Sequence, residues 1–309
     1  MPLARGHYES MYLTAHEPGT PRGFWIRYTV RKQPGKAPIG SLWFTRFTAD
    51  GPWATKVSTP TVSAGPHGTG ITIGDAILHA DAAIGAANDA SWKLAMRGNE
   101  PPLAHLPHEW MYRGGFPKTK ATSQRPTMTL SGSVTVGSDT VDVSGWHGML
   151  GHNWGASHAA RWIWLHGSDF SGKPNTWVDL VLGRVAVGPL TTPWIAQGAL
   201  CMDGRRHALG GIGKARATNV DGRRDGATIT VPADGLGRVV LEASAPPARF
   251  VGWEYADPTG ATHQVRNCSI AGLRMRVEDR VLVTESGACY ELGTHEVDPD
   301  LVVQPFPDQ

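Results

Sequence analysis

Charge is scarce in this chain: Asp, Glu, Lys and Arg make up 18% of its 309 residues and the formal net charge is +2, against about 25% charged residues in an average globular protein. The basic runs Arg31–Lys32, Arg205–Arg206 and Arg223–Arg224 are short and scattered, which argues against a nucleic-acid footprint. Cysteine is scarcer still. Cys201, Cys268 and Cys289 are odd in number and far apart, so no disulfide framework is expected. The opening MPLARGHYESMYLTAHEPG has no apolar core or cleavage site of a secretory signal. No apolar run approaches the ~20 residues needed to span a bilayer. The expectation is a soluble cytoplasmic protein, without nucleic-acid partner or stable membrane insertion and of open oligomeric state.

Several kinds of chemistry are absent as motifs. Neither an HExxH nor a CxxC spacing occurs, so no metal is expected, although His147, His152, His158 and His166 lie close in sequence. GASHA and TESGA are not nucleophile elbows. GGIG and GLGRVV read as turn glycines, because no helix follows them. No long helical period appears anywhere, and no organic cofactor is implied.

What is present is turns and strands, with 38 Gly and 23 Pro. Residues 23–31 and 40–48 alternate and are rich in β-branched and aromatic types, and KQPGKAPI between them reads as a hairpin connection. Phe24, Ile26, Tyr28 and Val30 share one face, Trp25, Arg27 and Thr29 the other. Arg27 and Arg46 are thus interleaved with aromatics, either stacked at a sheet surface or turned inward as a ligand clamp. Ala80–Ala90 is Ala-rich enough for a helical turn. Residues 99–126 hold five Pro and read as a long loop or lid. In that loop Glu109, Trp110 and Tyr112 form a small group of possible site residues or, as loop residues without evident neighbours, structural ones. Asp203-Gly204 and Asp221-Gly222 read as tight turns. Many short strands with Gly-rich turns imply an all-β protein, and the length suits two β-domains, residues 1–190 and 191–309, with a linker near Gly188–Pro193.

One window concentrates the chemistry. Between Gly145 and Arg184 lie five of the 12 Trp and four His, with one Asp, Asp179, inside an otherwise apolar run. Strand parity sorts them: Trp162, Trp164 and His166 share a face, as do Trp177 and Asp179, while His152 pairs with Trp154 and Asn153 points away. Indole rings strip water from a neighbouring carboxyl, and desolvation raises its pKa. Such an acid donates a proton near neutral pH, and the rings hold a cation at about 0.5–2 kcal/mol each. The alternative is that Asp179 caps a turn or pairs with Arg161 or Arg184. His152 either orients water or is a structural histidine bonded to a carbonyl.

GWHGMLGHNWG, RWIWLHG and TWVDLVLG resemble the hydroxyneurosporene synthase (carotenoid 1,2-hydratase) and AttH-like superfamily, with its tocopherol-cyclase-like and Diels-Alderase-like relatives. The resemblance implies two tandem lipocalin-like antiparallel β-barrels. It also implies that His152-Asn153-Trp154 matches a His-x-Trp pair, and that Trp177-Val178-Asp179 matches a Tyr-x-Asp pair with Trp in place of Tyr. Together these readings predict a cofactor-independent hydratase, isomerase or cyclase acting on an isoprenoid-like alkene. Asp179 is the expected proton donor and His152 its partner, with Trp154, Trp177, Trp162, Trp164, His166 and Trp146 lining the pocket. The alternative is a carrier of a hydrophobic small molecule.

Overall fold

In the computed structural model, which describes residues 6–65, 69–187 and 190–306, almost every regular element is an antiparallel strand. Gly23–Lys32 and Ile39–Thr48 pair as their alternation predicts, with Arg27 opposite Trp43 and Phe24 opposite Arg46. They belong to a sheet whose strands run, in spatial order, Gly51–Thr59, Ile39–Thr48, Gly23–Lys32, His7–His16, Trp146–Gly155, Thr119–Val136 and Ala90–Arg97, and then on through short strands to Val62–Ala64. The sheet rolls onto itself. The Tyr28 hydroxyl reaches the Ile77 and Ile84 carbonyls, and Phe44 stacks on Trp92 at 5.7 Å. Met11, Leu13, Phe24, Ile26 and Trp146 fill the space enclosed.

The second sheet closes. Its order is Arg205–Gly210, Ile195–Met202, Trp177–Arg184, Arg161–Gly167, Arg280–Thr294, Thr262–Val277, Gly237–Ser244 and Gly226–Ala233, and a Leu209–Ala233 pairing completes an eight-stranded barrel. Ile163, Leu165, Val178, Leu180 and Leu200 point into it. The all-β, tandem lipocalin-like architecture is thus present.

The change of sheet falls between Gly155 and Arg161, whereas the sequence suggests the Gly188–Pro193 segment, of which Gly188 and Pro189 lie outside the described residues. The strands with RWIWLHG and WVD belong to the second barrel because Arg161–Gly167 pairs with the end of the chain, Arg161 opposite Thr294. Alternation reports faces, not distant partners. Ala82–Ala87 is a strand rather than a helical turn. Residues 99–126 resolve into a two-residue strand, a helix Glu109–Arg113 and the start of the long strand at Thr119. Asp203-Gly204 forms its tight turn with φ of 52° and 75°, while Asp221-Gly222 lies within the strand Asn219–Arg223 and the chain turns just after it.

The outer faces of the two sheets meet. Trp25 and Trp43 on the first pack on Trp253 of the second, at 6.2 and 5.0 Å between ring centroids. Asp169 adds a polar latch, accepting from His16 at 2.7 Å and from His147. Burial alone would raise the Asp169 pKa, but the two imidazoles hold it below the usual carboxylate range. Its contribution to stability is therefore present above about pH 3.8 and lost as pH falls through its lowered pKa. Asp169 has φ of 57°, a left-handed conformation that Asn tolerates. Asp169→Asn is expected to cost about 1–3 kcal/mol in urea unfolding at pH 6, by leaving buried His16 without its charged partner.

Candidate active site between the barrels

The polar face predicted for the strands Arg161–Gly167 and Trp177–Arg184 lies outside the second barrel, pressed against the first sheet. Register sets its neighbours: Trp164 stands between Val181 and Glu291, and His166 between Asp179 and Cys289. Trp162 falls between Gly183 and Gly293, and its indole lies over Gly293, where a Cβ would come within 2.0 Å of the ring. Across the gap, Tyr12 lies over Gly151 in the same way, and its ring meets Trp164 edge-on at 5.2 Å. Two glycines, one on each sheet, thus let aromatic rings lie flat against backbone.

These rings enclose a cavity of about 180 Å³. Tyr8, Tyr12, Trp25, Trp162, Trp164 and Tyr255 form its aromatic wall. The segment from His105 to Pro117 forms the opposite wall through Leu106, Met111 and Phe116. Small-molecule sites usually measure about 300–1,000 Å³, so the cavity is small beside them.

Asp179 sits just behind the wall and is fully buried. Its Oδ1 accepts from Trp164 Nε1 at 3.1 Å, its Oδ2 from the Ser123 hydroxyl, and His105 Nε2 lies 3.5 Å from Oδ2. His105 faces the cavity, bonds Ser123 Oγ at 3.1 Å and donates from Nδ1 to the Gln197 carbonyl at 3.2 Å. With both nitrogens protonated, every hydrogen bond has a donor and an acceptor: His105 donates to Gln197 and Ser123, and Ser123 donates to Asp179. Burial acts against each charge, yet mutual attraction wins. The Asp179 pKa is lowered and that of His105 raised.

This corrects the sequence expectation for Asp179. A carboxyl among indoles was expected to stay protonated, but here one indole donates to it, a serine donates to it and a histidine pairs with it. The two shifts favour the proton on His105. Neither turn capping nor pairing with Arg161 or Arg184 occurs: Arg161 approaches Glu296 at 3.6 Å, and Arg184 donates to the Thr192 carbonyl.

A second polar group completes the cavity. Glu291 accepts from Trp162 Nε1 at 2.9 Å, Tyr255 hydroxyl at 3.1 Å and Asn267 at 3.2 Å. Burial, reinforced by Glu291, pushes the Tyr255 phenol well above its ordinary pKa. Arg27 is buried, with its guanidinium 3.9 Å over Tyr255 and its Nε donating to Ser10 at 2.6 Å. Of the two interleaved arginines, Arg27 turns inward, while Arg46 pairs with exposed Asp139.

Other expected residues are placed differently. His152 and Trp154 stack at 4.3 Å on the side of their strand away from the cavity, where His152 bonds Glu9 at 3.1 Å. Asn153 is the residue of that motif that lines the cavity, its Oδ1 buried without a hydrogen-bond partner among the described residues. His152 therefore does not meet Asp179. Trp146 stacks on Phe24 at 5.5 Å inside the first sheet. Trp177 packs with Ala199 and Cys201 under Arg206, outside the cavity lining. His166 shares the Asp179 face but binds the Pro126 carbonyl at 2.8 Å, and burial lowers its pKa, leaving it neutral. Only Trp162 and Trp164 line the cavity as expected. Glu109 and Trp110 are exposed, and Tyr112 pins the loop, its hydroxyl accepting from Leu106 N and donating to the Ala121 carbonyl.

His105, Ser123, Arg27, Tyr12, Tyr255 and Glu291 complete the site. Ser123 stands where the long strand shifts register between Ser123 and Arg125, just before Pro126, which has no N–H to give the ladder. That proline was the sequence signal for an irregular strand. Cys268 and Cys289 are free, and burial pushes their thiols up to about 12, so neither is a ready nucleophile.

No family model matches the chain. Uncharacterized proteins from two strains of Mycobacterium tuberculosis are 25% identical over 295 residues, covering 90% of this chain and 83% of theirs. Among solved structures, a candidate AttH from Nitrosomonas europaea superposes with a TM-score of 0.63 at 14% identity, covering 94% of this chain and 93% of that one. CghA, solved with Sch210972, gives 0.66 at 11% identity over 94% and 88%. Kievitone hydratase from Nectria haematococca gives 0.56 at 10% identity over 95% and 90%. Among the described residues no helix is long and apolar enough to cross a membrane. The fold is that of the AttH-like tandem lipocalin proteins, the group that GWHGMLGHNWG, RWIWLHG and TWVDLVLG resemble.

Proposed function

We propose that the chain is an enzyme that encloses an apolar, unsaturated small molecule between its barrels and performs acid-assisted chemistry on it without an organic cofactor. The observation that carries this reading is the buried Asp179–His105 pair, with His105 on the wall of an aromatic cavity. His105 as imidazolium is the proton donor, and Asp179 is a positioning residue that keeps it charged. The proton passes from a His105 nitrogen to one carbon of an electron-rich or conjugated double bond, whose π electrons form the new C–H bond. The positive charge left on the adjacent carbon is faced by Trp162, Trp164 and Tyr12. Water addition with a proton returned to His105 gives hydration, loss of a neighbouring proton to His105 gives isomerisation, and attack by a second double bond gives cyclisation. An isoprenoid-like substrate suits the walls. The fold shared with a protein named as a hydratase is in keeping with this.

The carrier reading has one observation in its favour: both His105 nitrogens are already bonded, to Gln197 and Ser123, so proton donation requires one of those bonds to yield. Native mass spectrometry of protein purified from its source, followed by incubation with terpenoids of the class retained, separates the two. The enzyme reading expects a product heavier by one water, or of equal mass and altered retention. Unchanged ligand recovered from a tight complex with active-site groups intact would sink it in favour of the carrier.

A further inference from the structure

We infer that the chain carries a second site, for a divalent transition-metal ion, built from His158, Asp257 and His263. His158 comes from the connector between the two sheets, while Asp257 and His263 flank the turn that joins Val251–Ala256 to Thr262–Val277. One donor atom from each lies within 4.8 Å of the other two. The inference stands on this geometry and is independent of the reaction proposed above.

The state of the donors points to a ligand. Asp257 Oδ1 accepts from His158 Nδ1 at 2.7 Å and from the His158 main-chain N–H at 2.8 Å. An ion taking the place of the Nδ1 proton would be shared by His158 Nδ1 and Asp257 Oδ1, which already face each other. His158 Nε2 is buried without a hydrogen-bond partner among the described residues, and so are both ring nitrogens of His263, which is 1% exposed. Unmet nitrogens on two neighbouring buried imidazoles are unusual, since buried polar groups are nearly always hydrogen-bonded.

The rings are firmly held. Tyr8 stacks on His158 at 4.2 Å, and His295 stacks on His263 at 3.8 Å. Trp162 lies 5.0 Å from His263, so the pocket around the nitrogens is aromatic and dry. Two imidazoles and one carboxylate form a donor set for Zn²⁺ and its first-row neighbours, and three protein ligands leave a coordination position open. Bonds of about 2.0–2.2 Å bring donors roughly 3.5 Å apart, which small side-chain rotations achieve from the present spacing. His158 also lines the cavity, so the ion would stand at its edge.

The test uses the full chain, stripped with chelator and dialysed against Zn²⁺, with bound metal measured by elemental analysis. One Zn²⁺ per chain is expected, with at least tenfold weaker binding in His263→Gln and in His158→Gln. The control His207→Gln, whose ring bonds the Asp234 carbonyl instead, is expected to keep full binding. Added Zn²⁺ is expected to raise the Tm of the wild type and not that of His263→Gln, whose fold is checked by circular dichroism. Co²⁺ gives a second readout through visible d–d absorption that Zn²⁺ abolishes. Absence of stoichiometric binding, or equal binding by a folded His263→Gln variant, would overturn the assignment.

Discussion

Turnover is expected to hold level at acid pH and to fall as pH rises through the raised pKa of His105, above its ordinary 6.5. Asp179→Asn should move that limb below 6.5. Burial, the largest influence on His105, lowers its pKa, and the nearby carboxylate reverses that effect. With the charge gone, burial acts unopposed and the imidazole is neutral where the wild type is charged. At pH 7–8 the loss in kcat is expected to be about 10²–10⁴-fold, the usual reach of a general acid. Asn keeps the shape and the Trp164 contact, so circular dichroism and ligand binding should change little. The measurement is a pH profile of kcat and kcat/KM for both proteins. A basic limb at the same pH in both would remove Asp179 and His105 from the chemistry.

His105→Leu is the change expected to cost most stability. It leaves Asp179 buried with Ser123 and Trp164 but without a counter-charge, and breaking a buried pair in this way costs about 3–5 kcal/mol. Adding Asp179→Asn should recover part of the loss, so that the double variant is more stable than the two single losses predict by at least ~1.5 kcal/mol. The pH dependence follows from the two shifts. The His105 contribution is complete below 6.5 and lost as pH rises through its raised pKa. The Asp179 contribution is complete above 3.8 and lost as pH falls through its lowered pKa. Urea titrations across this range measure both, and additive single and double losses would show that the pair is not coupled.

Local pattern was enough to read the strands and their faces. Trp162, Trp164, His166 and Asp179 do share one surface, because side chains alternate wherever the backbone is extended. The same rule could not say whether that surface faces a barrel interior or a neighbouring sheet, and here it faces the sheet. It placed His152 with Trp154 correctly, yet the cavity belongs to Asn153 between them. His105 was invisible because it sits in a proline-rich stretch without period, and it reaches Asp179 across 74 positions of chain. Glu291 and Tyr255 come from strands that read as ordinary core. The direction of the Asp179 shift depended on donors that only tertiary structure supplies. His158 lies among nearby histidines, but Asp257 and His263 are about a hundred residues downstream and no spacing motif joins them.

Trp43 leaves the ribosome roughly 200 residues before Trp253, the ring that covers it. At about 5–20 residues per second, the apolar outer face of the first sheet waits some 10–40 s for its partner. A chain stopped in that interval presents Trp25 and Trp43 to solvent as a sticky surface. Chaperone demand during synthesis, and aggregation of truncated products, therefore belong to the way the two halves are joined.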